Sequence, residues 1–164
     1  MMKILLDADA SIKLTKISII EKFASGFNVV LTADVYDEQV TAGLKNNHPD
    51  AIKMEKLVFE GKITVVNADE VSIGYSNYRL GRGEKSVFNY FLADGIDLIV
   101  SDDEAFLKVL DAHEVPFTPV AGVILMCVTH GIINKENGLK YLEMLTPMIR
   151  EEHMFYIKSK IEGL

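Results

Sequence analysis

A strand and the start of a helix meet in Lys3-Ile4-Leu5-Leu6-Asp7-Ala8-Asp9-Ala10-Ser11. The first four residues, rich in Ile and Leu, read as a short buried strand. Two aspartates stop it, and the apolar spacing then changes to that of a helix. Asp7 therefore stands where a strand ends. In an open α/β sheet, the edge outside the carboxyl ends of the strands is where ligands bind.

Outward from that stretch the same alternation repeats. Helical spacing from Ala10 to Phe23 predicts one helix, closed by Gly26. Asn28-Val29-Val30-Leu31-Thr32 is a second buried strand, with Thr32 placed to cap a helix through Tyr36, Val40 and Leu44 that carries Glu38. Pro49 to Gly61 reads as a helix and Ile63-Thr64-Val65-Val66 as a third strand. The polar stretch from Asn67 to Arg82 is expected to be a loop with at most a short helix. Within it, Leu80-Gly81-Arg82-Gly83 is a flexible lead into a stronger helix beginning near Glu84. Asp97-Leu98-Ile99-Val100-Ser101 is the fourth strand, ended by Asp102-Asp103, and a helix through Phe106, Leu107 and Leu110 follows. Val115-Pro116-Phe117-Thr118 is a short edge strand, where proline is tolerated. Helices are expected from Val120 to His130, from Lys135 to Leu145 and from about Pro147 to Ile161. This order implies a three-layer α/β/α fold, with a central, mostly parallel sheet of four to five strands wrapped by helices on both faces.

Several acids fall in unusual places on this plan. Glu84 precedes Val87, Phe88 and Phe91 by three, four and seven residues, so it projects from the stripe that packs into the core. Asp103 stands in the same relation to Phe106, Leu107 and Leu110. A solvated acid avoids such a stripe unless its first turn opens into a cavity. Glu38 shares a helix side with Val35 and Ala42, at a boundary with solvent. Asp7, Asp102 and Asp103 follow strands, Glu84 and Glu38 lie in early helix turns, and these positions share one edge of a parallel sheet. Carboxylates gathered there cannot all stay ionised unaided. Mg²⁺ or Mn²⁺, which prefers oxygen ligands and keeps several waters, relieves the repulsion, acidifies a bound water and neutralises charge on a phosphate. Taken singly, Asp9 or Asp102 fits a helix cap equally well, and Glu38 a surface position. Arg82 and Lys85, which flank Glu84, fit ion pairing within the fold or contact with phosphates. The four histidines, His48, His113, His130 and His153, show no metal-ligand spacing and no nearby nucleophile.

The 164 residues suit one domain spanning residues 1–164, and 49% apolar with 25% charged residues is ordinary for a soluble core. Cys127 is the only cysteine; within its apolar run it reads as a buried small hydrophobe in a reducing compartment. The N-terminus lacks the features of a signal peptide, and no apolar run approaches the roughly 20 residues that span a bilayer. A cytoplasmic protein without membrane contact is expected. A net charge of −7 argues against a broad basic surface that grips nucleic acid. It is compatible with a metal-dependent nuclease, because the cation site accounts for part of the charge and the cation restores attraction for phosphate.

Four ordered stretches resemble the PIN-domain nucleases, a superfamily that includes the VapC-like toxins of prokaryotic toxin–antitoxin pairs. They are the Leu5-to-Leu14 run beginning Leu-Leu-Asp-Ala-Asp, Val35-Tyr36-Asp37-Glu38-Gln39-Val40, Leu80-Gly81-Arg82-Gly83-Glu84-Lys85-Ser86-Val87, and Leu98-Ile99-Val100-Ser101-Asp102-Asp103-Glu104-Ala105-Phe106. The likeness extends over nearly the whole chain. It implies that Asp7, Glu38, Glu84 and Asp103 are catalytic acids that use Mg²⁺ or Mn²⁺ to cleave single-stranded or structured RNA, with Asp7, Glu84, Asp103 and Asp102 as metal ligands. Asp103 is preferred to Asp102 because the family places its Asp two residues after a Thr or Ser, here Ser101. Asp9 and Ser101 are expected to orient ligands or water, and Arg82, Lys85 and Lys13 to contact RNA. The resemblance further implies a metal-activated water in place of a covalent intermediate, a homodimer and, for a toxin, an antitoxin whose peptide covers the acidic groove.

Two other readings compete. Asp7-Ala8-Asp9 echoes the strand-end nucleophile of a haloacid-dehalogenase-type phosphatase, with Asp102-Asp103 as late metal ligands, but this leaves Glu38 and Glu84 without a role. A catalytically silent PIN module would bind RNA or a protein without cutting; nothing conspicuous is missing from the acidic set.

Overall fold

The computed structural model describes residues 1–68, 78–93 and 95–164. Ile4, Leu5 and Leu6 are wholly excluded from solvent, and the strand they dominate, β1 (Lys3–Leu6), is the middle of a sheet. Beside it lies β2 (Asn28–Thr32), then β3 (Thr64–Val66); on its other side lies β4 (Leu98–Val100), then β5 (Phe117–Thr118). All four pairings are parallel, with Leu5 opposite Val30 on one side and Ile99 on the other. The chain builds outward from β1 through β2 to β3, then returns to β1's free side for β4. The order reverses between β1 and β4, and such a reversal opens a crevice at the carboxyl edge of the sheet. Asp7 leaves β1 there and Ser101, Asp102 and Asp103 leave β4.

Helices cover both faces of the sheet and complete the three layers that the alternation predicts. α1 (Ala8–Lys16) packs against α5 (Pro49–Phe59) and α8 (Val120–Thr129), while α6 (Arg82–Ala93) packs on β1 and β2. α7 (Glu104–Ala112) follows β4, and α9 (Lys135–Leu145) and α10 (Glu151–Glu162) close over α8. No helix among the described residues is long and apolar enough to cross a membrane. Cys127 is fully buried, and burial pushes its thiol up to about 12, as befits a small core residue.

The helices depart from the sequence pattern in four places. The single helix expected from Ala10 to Phe23 is two, α1 and α2 (Ile20–Gly26), separated by Ser18 in the left-handed region at φ 62°. Leu14, Thr15, Ile17, Ile19, Ile20 and Phe23 are all buried, and an unbroken helix would spread them over roughly 260° of its circumference, too wide for one face. The helix capped by Thr32 contains an unforeseen π-helical turn, Asp37–Thr41, between α3 (Ala33–Tyr36) and α4 (Ala42–Lys45). α6 begins at Arg82, before Glu84, so Gly83 lies inside its first turn. The last helix starts at Glu151 instead of Pro147: a 3-10 turn at Thr146–Met148 and an extended Ile149 intervene. That break lets Met148 and Ile149 lie against the core and puts Glu151 and Glu152 at the positive end of α10. Of the loop expected from Asn67 to Arg82, residues 69–77 lie outside the described residues.

Candidate functional site

Each acid at the carboxyl edge of the sheet is fixed by a local hydrogen bond. Asp7 caps α1, its Oδ1 accepting from the Ala10 N–H at 2.7 Å. Asp103 caps α7 in the same way, accepting from the Phe106 N–H at 2.8 Å. Between them lies Ser101, fully buried, whose hydroxyl donates to the Asp7 carboxylate and accepts from the Asp103 N–H at 3.1 Å. One hydroxyl thus ties the ends of β1 and β4 together across the switch point.

The other wall comes from α6 and the π-helical turn. Glu84 Oε2 accepts from the Gly81 N–H at 2.7 Å, and Glu38 Oε1 accepts from the Gly83 N–H at 3.0 Å across 45 residues of sequence. A side chain at Gly83 would collide with Glu38: a Cβ there would lie 2.7 Å from Oε2. A relay sets this turn in place. The Thr32 hydroxyl donates to Ser86 Oγ at 2.6 Å and the Ser86 hydroxyl donates to the Gly83 carbonyl at 2.7 Å, tying the end of β2 to α6. The π turn fits a single extra residue into the helix, a device often found beside functional sites, and it carries Glu38.

Asp7, Asp9, Glu38, Glu84, Asp102 and Asp103 line one cleft of about 380 Å³, together with Ala8, Gly81 and Gly83. Crowding and burial show in their acidity. Asp7 is 4% exposed, and burial pushes its carboxyl up to about 7, with Asp9 and Asp102 adding repulsion against the lowering effect of Ser101 and the Ala10 N–H. Glu84 is also held above the usual carboxylate range, first by burial and then by Asp103 and Glu38. Among the described residues, no three His, Cys, Asp or Glu side chains stand close enough to enclose an ion. The acids share a cleft as expected, but they form no closed cage. Such an all-oxygen, half-open set suits Mg²⁺ or Mn²⁺, which takes one or two carboxylates and keeps several waters, better than a metal that demands a full protein shell.

The remaining candidates divide. Asp102 has both oxygens engaged, Oδ2 by Lys13 Nζ at 2.9 Å and Oδ1 by the Val120 N–H at 2.9 Å, which leaves Asp103 the less committed of the two carboxylates. Asp9 also pairs with Lys13, at 2.6 Å. Burial alone would pull the Lys13 ammonium down, but its bonds to Asp9 and Asp102 outweigh that and hold its pKa above the ordinary lysine value. Arg82 pairs with Asp34, while Lys85 is exposed and has no ion pair among the described residues. None of the four histidines lines the cleft; His113 and His130 bond to helix carbonyls and stack edge-on against Phe88 and Phe27. Sequence reading missed the two backbone donors, Gly81 and Gly83, although the Gly-x-Gly-Glu spacing was their signal: glycines admit a close carboxylate where side chains do not.

No curated protein matches the chain. A family model, DUF3368, described as a PIN domain, matches residues 3–162. That match runs through every strand of the sheet and every acid of the cleft, and the chain belongs to this PIN-domain family.

Proposed function

We propose that the protein is a divalent-metal-dependent endoribonuclease. PIN domains are generally nucleases, and one observation supports the finer reading: Asp7 and Glu84 are both driven toward protonation in a cleft shared with Glu38 and Asp103. A cation in the cleft removes that strain. Asp7, Glu84 and Asp103 are the residues that would hold it. When bound, Mg²⁺ or Mn²⁺ neutralises charge on the scissile phosphate and acidifies an attacking water.

The chain's own part is orientation. Asp103, Glu84 and Glu38 each commit one oxygen to a backbone N–H, which fixes the direction of the other. Glu38, exposed at the mouth of the cleft, offers Oε2 as the acceptor for the water's proton. Arg82 and Lys85, on the first turn of α6 beside Glu84, offer positive charge to the RNA backbone. The phosphatase alternative has no use for Glu38 or Glu84, which line the same cleft as Asp7. Action as a toxin restrained by an antitoxin, and pairing into a homodimer, belong to the same proposal through the resemblance to VapC-like proteins.

Purified protein with Mn²⁺ should cut single-stranded or structured RNA, and EDTA or Asp7→Asn should abolish cutting. Protein that binds no Mn²⁺ and leaves diverse RNAs intact overturns the proposal. RNA binding without cleavage would make it the silent module.

A further inference from the structure

Lys13 stands behind the cleft, its ammonium paired with two of the acids that line it, and its side chain is 13% exposed. It reaches Asp9, one helical turn back on α1, and Asp102, which follows β4. Asp102 in turn accepts from the Val120 N–H at the start of α8, and its side chain is 8% exposed. Asp102 therefore links the Lys13 ammonium on α1 to the start of α8. A compact lysine suits this position, because a rotating NH₃⁺ can serve two separate carboxylates where a planar guanidinium prefers one in a fork.

We infer that Lys13 is a positioning residue that withholds Asp9 and Asp102 from any ion in the cleft, confining its ligands to Asp7, Glu84 and Asp103. The inference rests on the metal-dependent reading above. Its basis is the contrast between adjacent aspartates. Asp103 has one oxygen on the Phe106 N–H and no hydrogen bond to the other among the described residues, whereas Asp102 has both oxygens engaged. Without Lys13, the Asp102 carboxylate would be a nearly buried charge lacking its counterion, an expensive state. Asp102 lines the cleft, so an ion there would be its nearest replacement partner. Turning toward that ion would pull Asp102 off Val120 and draw the metal away from Asp103. Lys13 is thus assigned to the protein's own acids in place of the RNA backbone.

The test measures Mn²⁺ binding by the loss of the free-ion electron spin resonance signal, and RNA cleavage at saturating Mn²⁺, on full-length protein. Lys13→Met should bind Mn²⁺ about three- to tenfold more tightly, because one positive charge is gone and two acids are freed. Its kcat should nevertheless fall about tenfold or more, since the ion is misplaced. Adding Asp102→Asn to Lys13→Met should return Mn²⁺ affinity to the wild-type value, and Lys13→Arg, whose guanidinium holds one carboxylate better than two, should recover only part of the activity. In EDTA, Lys13→Met and Asp102→Asn should be non-additive in the folding equilibrium by about fivefold or more. A Lys13→Met protein with weaker Mn²⁺ binding and weaker cleavage together overturns the inference, as does a rise in KM for RNA with Mn²⁺ affinity unchanged, the mark of a phosphate contact. Additivity in EDTA overturns it as well. Wild-type protein that binds no Mn²⁺ defeats the metal-dependent reading itself and takes this inference with it, an outcome distinct from the other three.

Discussion

The acids on the outer helices and the acids in the cleft titrate in opposite directions. Glu21, Glu104 and Glu136 are solvated, each hydrogen-bonded to a lysine (Lys62, Lys108 and Lys140), and all three are held below the usual carboxylate range. Asp7 and Glu84 are partly or wholly removed from water and are pushed above it. The residue types are the same; what differs is the surroundings. An outer pair sits in high dielectric and contributes little to stability. A cleft acid is a standing electrostatic cost of the folded state, and a cost of that kind persists where a site requires it.

The largest consequence concerns cleavage. Asp7→Asn removes a ligand at the switch point, and RNA cleavage in Mn²⁺ should fall on the order of 10³-fold or more, since several kcal/mol of transition-state stabilisation go with the ion. Retained cleavage would dissolve the distinction between the two groups of acids. Glu84→Gln should lose about 10²-fold or more by the same logic, yet fold as well as wild type. Its amide oxygen can still accept from the Gly81 N–H, and no charge need be buried. A large drop in melting temperature in metal-free buffer would instead make Glu84 a structural residue.

Stability carries the next effect, and its sign is definite. Asp7 has its folded pKa near 7, above its ordinary value of 3.8. Between those values the folded protein holds a proton that the unfolded chain has released, so this group's contribution to stability falls as pH rises through the window and is lowest above it. In EDTA, Asp7→Asn should therefore stabilise the protein at pH 8 by about 2–4 kcal/mol and make little difference near pH 4, read from urea midpoints. Mn²⁺ at about 100 times its dissociation constant should stabilise wild type by about 2.7 kcal/mol and Asp7→Asn far less. An Asp7→Asn protein less stable than wild type at pH 8 would show that the ionised carboxylate supports the fold.

What the sequence revealed follows the range of the interactions involved. The buried strands were legible, because runs such as Ile4-Leu5-Leu6 and Leu98-Ile99-Val100 state their own burial, and a strand followed by Asp places that acid at the sheet edge. Asp7 and Asp103 came from that local pattern, and Glu84 from its place on the apolar stripe of its helix. The break at Ser18 was not legible: Ile17, Ile19 and Ile20 continue a helical run, and the helix must part only because the buried positions from Leu14 to Phe23 together exceed one face. The π turn under Glu38 and the meeting of Glu38 with Gly83 depend on contacts 45 residues apart, which periodicity does not encode. The same holds for Lys13 and Asp102, 89 residues apart, whose pairing changes what each can do.

Gly83 gives a finer test, because it separates placement from stability. An alanine Cβ would stand 2.7 Å from Glu38 Oε2, the far end of a flexible side chain that can move aside at small cost. Alanine is also the better helix former, by about 0.5–1 kcal/mol in a helix interior and by less in the first turn, where Gly83 lies. Gly83→Ala should therefore melt at the wild-type temperature or slightly above it, while cleavage falls about 10- to 100-fold as Glu38 is displaced. Lost stability with intact cleavage would mean that Glu38 is a cap for α6 and nothing more.

The smallest expected effect is the control that gives the others meaning. Glu136 and Lys140 pair across one turn of α9 at 2.6 Å, with side chains 74% and 64% exposed. Water solvates both charges about as well as they solvate each other, and holding two long side chains together costs entropy. Glu136→Gln should leave the melting temperature, the Mn²⁺ affinity and RNA cleavage within experimental error at every pH from 5 to 8, although it removes the same carboxylate as Glu84→Gln. If it instead reduced cleavage as Glu84→Gln does, loss of negative charge anywhere on this acidic protein would be sufficient, and the cleft would have no special claim.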